Sequence, residues 1–152
     1  MKERFNEIKG EILRRAHAAG ACKEEYGRAC KAEDMAELCG VIKDNVWWCC
    51  DSKVLTGELV EKYWEEFGAQ DIYVNVDVEK GLLLAWGTAT VRASGTATVR
   101  ASGTVTVRAW GNAYCTSYKA IDCKLSGHAL CRVRETNTVY FASDDLKFAK
   151  QP

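Results

Sequence analysis

An eight-residue repeat fills most of the second half of the chain and limits what that half can fold into. GTATVRAS at 87–94 recurs unchanged at 95–102, and GTVTVRAW follows at 103–110. The frame then loosens without breaking. GNAYCTSY, KAIDCKLS, GHALCRVR and ETNTVYFA carry it to residue 142, and EKGLLLAW at 79–86 opens it. Tandem octads of this kind mark a repeat architecture, in which each unit buries its apolar side only by stacking on neighbours.

Positions 3, 5 and 7 of the octad are apolar or small almost throughout. Position 5 reads Leu83, Val91, Val99, Val107, Cys115, Cys123, Cys131, Val139, and position 7 reads Ala85, Ala93, Ala101, Ala109, Ser117, Leu125, Val133, Phe141. The positions between carry Thr, Arg, Ser and Asn. A strand alternates with period 2, so the odd positions face a core and the even ones face water. Glycine at the octad boundary supplies the turn. The pattern predicts a β-solenoid of eight octads. A thin Ala–Val–Ala interior suits two facing strands, hence 16 residues per coil; a triangular coil of three octads stays open. With coils about 4.8 Å apart, four two-octad coils make a prism about 19 Å long. Its open ends are edges that need covers, and an uncovered end offers a surface for a homodimer.

The first half has a different period. Phe5, Ile8, Ile12, Leu13 and Ala16 recur at helical spacing and predict a helix over 3–19, stopped at Gly20. A second helix is expected over about 22–30. A third begins near Glu33 or Asp34, with Met35, Leu38, Val41 and Ile42 on its apolar face. Trp47, Trp48, Cys49 and Cys50 read as a dense apolar knot. Thr56 is a suitable N-cap for a helix running to Phe67, with Leu59, Val60, Tyr63, Trp64 and Phe67 buried and Gly68 closing it. DIYVNVDV at 71–78 alternates strictly and predicts a lead-in strand with Ile72, Val74, Val76 and Val78 on one side. The expected organisation is α+β: a small helical domain over 1–70 that caps the start of a solenoid over 71–152. Leu82, Leu84 and Trp86 would meet the helices, and 143–152, with Leu146 and Phe148, would cap the far end.

Eight cysteines are many for 152 residues. The charged N-terminus has no apolar leader segment, so a cytoplasmic location with reduced thiols is expected. No run is long enough to span a membrane. No CxxC pair occurs and only His17 and His128 could join a metal site, so neither metal nor cofactor is expected. Cys115, Cys123 and Cys131 replace valine at octad position 5 and read as an internal column of small apolar groups. No phosphate loop, nucleophile elbow or paired acidic motif is present, so no catalytic residue is assigned.

Charge separates the halves. Residues 1–80 carry 12 basic and 17 acidic side chains, residues 81–152 nine and four. Octad position 6 supplies most of the repeat's basic groups: Arg92, Arg100, Arg108, Lys124 and Arg132. In two-octad coils Arg92, Arg108 and Lys124 would stack on one face, flanked by Thr90 and Thr106, as a candidate phosphate-binding ladder. The plain alternative is a solvated face whose long side chains cover alanine-rich surface. Without interleaved aromatics the ladder does not predict stacking on single-stranded bases. The Thr-x-Thr pairs also suggest an ice-binding-like array, which the neighbouring arginines argue against.

DNVWWCCDSKV, DIYVNVDV, octads close to GNATVRAW and the closing IDCKLSGHAL…TVYFASDDLKF together resemble octapeptide-repeat proteins of gut Bacteroidales, their phages and mobile elements. The resemblance covers nearly the whole chain. It implies the helical-cap and solenoid fold and a mobile-element context, and it supplies no catalytic residues. The expectation is a non-enzymatic interaction protein, in concrete form an anti-CRISPR-like inhibitor of a host defence system. Its target would be a protein or nucleoprotein, with nucleic-acid phosphate contact through the ladder. A sequestering binder of a phosphorylated signalling nucleotide is the alternative.

Overall fold

A computed structural model describes residues 2–142. The chain divides into two compact units between Gln70 and Asp71. The expected terminal cap at 143–152 lies outside the described residues.

Unit one is helical. α1 (Lys2–Ala18) buries Phe5, Ile8, Ile12 and Ala16, one face at helical spacing. α2 (Lys23–Lys31) and α3 (Met35–Asp44) follow. The Asp34 side chain accepts from the Glu37 backbone N–H at 2.8 Å, capping α3, while the Glu37 carboxylate returns a bond to the Glu33 N–H. α4 (Val46–Asp51) holds the expected apolar knot, but only Cys49 is buried, and Trp47 and Trp48 stay 40% and 38% exposed. A six-residue helix has one inward stripe, and adjacent tryptophans point too far apart to share it. Thr56 caps as expected, accepting from Leu59 N–H. The helix it starts is not continuous, however. α5 (Gly57–Lys62) ends at Tyr63, whose φ of −120° leaves the helical region, and α6 (Trp64–Gly68) begins anew. The break keeps Leu59, Val60, Tyr63 and Phe67 inward and turns Trp64 out, contrary to expectation, at 65% exposure.

Unit two is a β-solenoid of about three turns. β1 (Ile72–Val74) precedes β2 (Leu82–Ala85), β3 (Thr90–Ala93), β4 (Thr98–Ala101), β5 (Thr106–Ala109), β6 (Tyr114–Ser117), β7 (Asp122–Leu125), β8 (Leu130–Val133) and β9 (Thr138–Phe141). Each strand from β2 to β8 occupies positions 4–7 of its octad. The sheets run β1-β2-β4-β6-β8-β9 and β3-β5-β7, and from β2 to β8 alternate strands pair in parallel. The register settles the coil size: Val99 lies beside Cys115 and Val107 beside Cys123, a step of two octads. A three-octad coil is excluded.

The odd positions form the core. Val91, Ala93, Ala97, Val99, Ala101, Val105, Val107 and Ala109 are essentially inaccessible. At five octad boundaries the chain turns through a left-handed glycine: Gly87, Gly95, Gly103, Gly111 and Gly127. Gly95, at φ +59°, also lies so close to the coil below that a Cβ there would collide with the Glu79 carbonyl oxygen. That carbonyl accepts from Thr96 N–H at 3.0 Å, and Gly87 and Gly111 carbonyls accept likewise from Thr104 and His128. The corners are therefore stitched as regularly as the strands, which accounts for their polar backbone groups.

Two expectations fail at the ends of the repeat. DIYVNVDV is not one strand. Only Ile72–Val74 pairs with β2; the chain then bends at Asn75 (φ 49°), exposes Val76, and Val78 makes a single bridge to Ala93 in the other sheet. Ten residues separate β1 from its partner β2 instead of 16, too few for two full strands in that coil. The eighth octad does not complete a coil either. β8 and β9 form an antiparallel hairpin across residues 134–137, with Asn137 at φ 50°. The reversal flips the strand's faces, because side chains alternate with period 2. Val139 and Phe141, predicted inward, are 47% and 60% exposed, while Tyr140 and Ala142 pack on the core.

Candidate functional site

Octads alternate between sheets, so the seven basic and threonine positions singled out in the sequence fall on two faces. β3, β5 and β7 carry five of them. Arg92, Arg108 and Lys124 are consecutive partners in the parallel register, and Thr90 and Thr106 stack two residues upstream, with Asp122 completing that row. All three cations are exposed, and none forms an ion pair among the described residues. Neighbouring unit charges about 5 Å apart repel by about 0.8 kcal/mol even at the dielectric constant of water. The fold holds this repulsion in place because the strands are fixed by their backbone pairing and by the core beneath them.

Arg100 and Arg132 lie on the other sheet. Their row reads Leu84, Arg100, Thr116, Arg132, so a buried threonine separates them. Arg132 donates to Asn137 Oδ1 at 2.9 Å, a partner supplied by the β8–β9 turn. These two do not extend the ladder. The threonine rows are short as well: Thr90 and Thr106 end at Asp122, and Thr98 gives way to Tyr114 and Leu130. No flat threonine array exists among the described residues.

The sequence reading missed Trp110. It is the last residue of its octad, at the corner after β5, and it is 43% exposed. It lines a groove of about 360 Å³ together with Arg92, Arg108, Lys124, Leu125 and Ser126. The octads before and after it in the same sheet end in Ser94 and Ser126, so the indole stands above small neighbours. The signal was present in the repeat, where serine-to-tryptophan is a large change at a corner with no core to fill. A cationic row beside one aromatic face can hold phosphates and stack one planar ring.

Thiols occupy two kinds of place. Burial pushes the Cys39 and Cys49 thiols of the helical unit up to about 12, which leaves them protonated and poor nucleophiles. Cys115, Cys123 and Cys131 form not a column but a triangle. β6 and β8 present two of them side by side, β7 presents the third from the facing sheet, and their sulfurs all lie within 4.8 Å of one another. A second cavity, also about 360 Å³, lies inside the helical unit among Ile12, Tyr26, Ile42 and Trp48. Glu25 and Asn45 also line it, and the Asn45 side-chain N–H donates to the Glu25 carboxylate at 2.8 Å.

Among the described residues no helix is long and apolar enough to cross a membrane. Compared with known proteins, the chain matches no family model, no curated sequence and no solved structure.

Proposed function

We propose that this chain is a non-enzymatic interaction protein whose Arg92–Arg108–Lys124 face grips the phosphates of a nucleic acid, alone or within a nucleoprotein target. The observation that carries the reading is the three-cation row, held in strand register, with no ion pair to these cations among the described residues, beside the exposed ring of Trp110. Cation rows release counterions on binding a polyanion, and an indole adds sequence-tolerant stacking. With the resemblance to mobile-element octapeptide-repeat proteins, this supports an inhibitor of a host defence system that acts by occupying its target.

Fluorescence anisotropy with labelled single-stranded and duplex oligonucleotides tests the reading. Binding should weaken steeply with salt. Arg92→Glu with Arg108→Glu should cost at least about tenfold in affinity, and Trp110→Ala should weaken single-strand binding by about 1–3 kcal/mol. No binding at low salt, or a double variant that binds as the parent does, overturns it. The size of the groove also favours a second reading, a binder of a phosphorylated nucleotide, since small-molecule sites start at about 300 Å³. Thermal stabilisation by a mononucleotide or cyclic dinucleotide, without oligonucleotide binding, would select it.

A further inference from the structure

We propose that Cys115, Cys123 and Cys131 form an internal three-sulfur site for a soft thiophilic ion, with trivalent arsenic as the charge-matched occupant. Three consecutive octads carry cysteine where the repeat otherwise carries valine or leucine, and nowhere else in the repeat does cysteine occur. The two-octad coil sends these octads to one sheet, the facing sheet and the first sheet again. All three thiols therefore converge on one point of the interior, within 4.8 Å of each other and at most 1% exposed. Three valines at the same positions would fill the core equally well.

The geometry suits a centre with three ligands. With bonds of about 2.3 Å to sulfur, a planar trigonal set spans about 4.0 Å from sulfur to sulfur, and a pyramidal centre such as arsenic, with its lone pair, spans less. The three sulfurs lie within 4.8 Å of one another, so rotation about the cysteine side chains closes the set. Zinc prefers a fourth ligand; the cluster that holds the triangle is apolar, with Val99, Val107, Ala113, Ile121 and Ala129, and the hydroxyl of buried Ser117, on the strand of Cys115, donates to the Lys119 carbonyl at 2.6 Å.

Charge selects the occupant. An apolar interior disfavours any uncompensated charge. Three thiolates around monovalent copper leave two negative charges, and around zinc one. Around trivalent arsenic they leave none. The exchange balances: arsenous acid loses three As–O bonds and gains three As–S bonds, each thiol proton leaves with a hydroxyl as water, and no atom changes oxidation state.

The test uses the reduced full chain under anaerobic conditions, with arsenite, Cu(I) and Zn(II) added separately. Native mass spectrometry should show one arsenic per chain with loss of three waters, and X-ray absorption should show three sulfur neighbours and no oxygen. The melting temperature should rise. Cys115→Val with Cys123→Val and Cys131→Val restores the repeat's own residue, so it should keep the fold, by circular dichroism, and lose the arsenic. A Cys22→Ser, Cys30→Ser and Cys50→Ser variant should retain it. Cu(I) bound 1:1 by three sulfurs, lost in the valine variant, supports the three-sulfur site and overturns the charge selection. Equal arsenite uptake by the valine variant, a two-sulfur centre, tighter zinc binding or no uptake at all overturns the proposal.

Discussion

Glycine plays opposite parts in the two units. In the helices Gly10, Gly27 and Gly40 have open space where a Cβ would go, and none has positive φ. They cost the helices stability and return no contact. In the solenoid the boundary glycines are left-handed, and several lie against the backbone of the coil below. The helical unit is an assembly of individually fitted contacts, such as the Asp34 cap and the Arg4–Glu66 ion pair joining α1 and α6. The solenoid is one contact copied. Errors in the first are local, whereas an error at a corner of the second is an error in a stacked series.

That contrast can be broken by substitution. Gly95→Val should be the most damaging, by about 4 kcal/mol or more, since it combines a left-handed β-branched residue with a backbone collision. Chemical denaturation should show it, and a loss below about 1 kcal/mol would mean the coils are not closely stacked. Gly27→Ala, in the middle of α2, should act in the other direction, stabilising by about 0.5–1 kcal/mol. Destabilisation there would show that the helical unit is as tightly constrained as the repeat. Smallest is Trp64→Ser, expected within about 0.5 kcal/mol because the ring is 65% exposed. A large loss would mean that a partner or a second surface covers it.

The repeat was legible because eight is even. Each octad restores the same alternation, so Val91 and Val107 could be placed inward before any coordinates. Coil size was left open by the sequence, since inward positions are the same for two or three octads, and only the pairing of Val107 with Cys123 decides it. Val139 and Phe141 were misplaced because their alternation is intact and the turn before them is not. Asn137, a residue that tolerates positive φ, replaces the boundary turn with a hairpin. In the helical unit, helical spacing located Phe67 correctly and Trp64 wrongly. Hydrophobicity alone does not say which apolar residue stays at the surface. Of the candidate site, the ladder was legible once two octads per coil were assumed. Trp110 was not, because a corner position has no fixed direction in an alternating pattern.

The pairing step has a consequence for how such a chain changes length. Adding or losing two octads returns every later residue to its own sheet. Adding or losing one moves them all across. After loss of residues 95–102, Arg108 and Trp110 would leave the face of Arg92, and the hairpin at β9 would close the opposite sheet. The fold thus keeps parity: copy number can drift in steps of 16 residues with its surfaces intact, and a single unequal crossover of eight exchanges one face for the other.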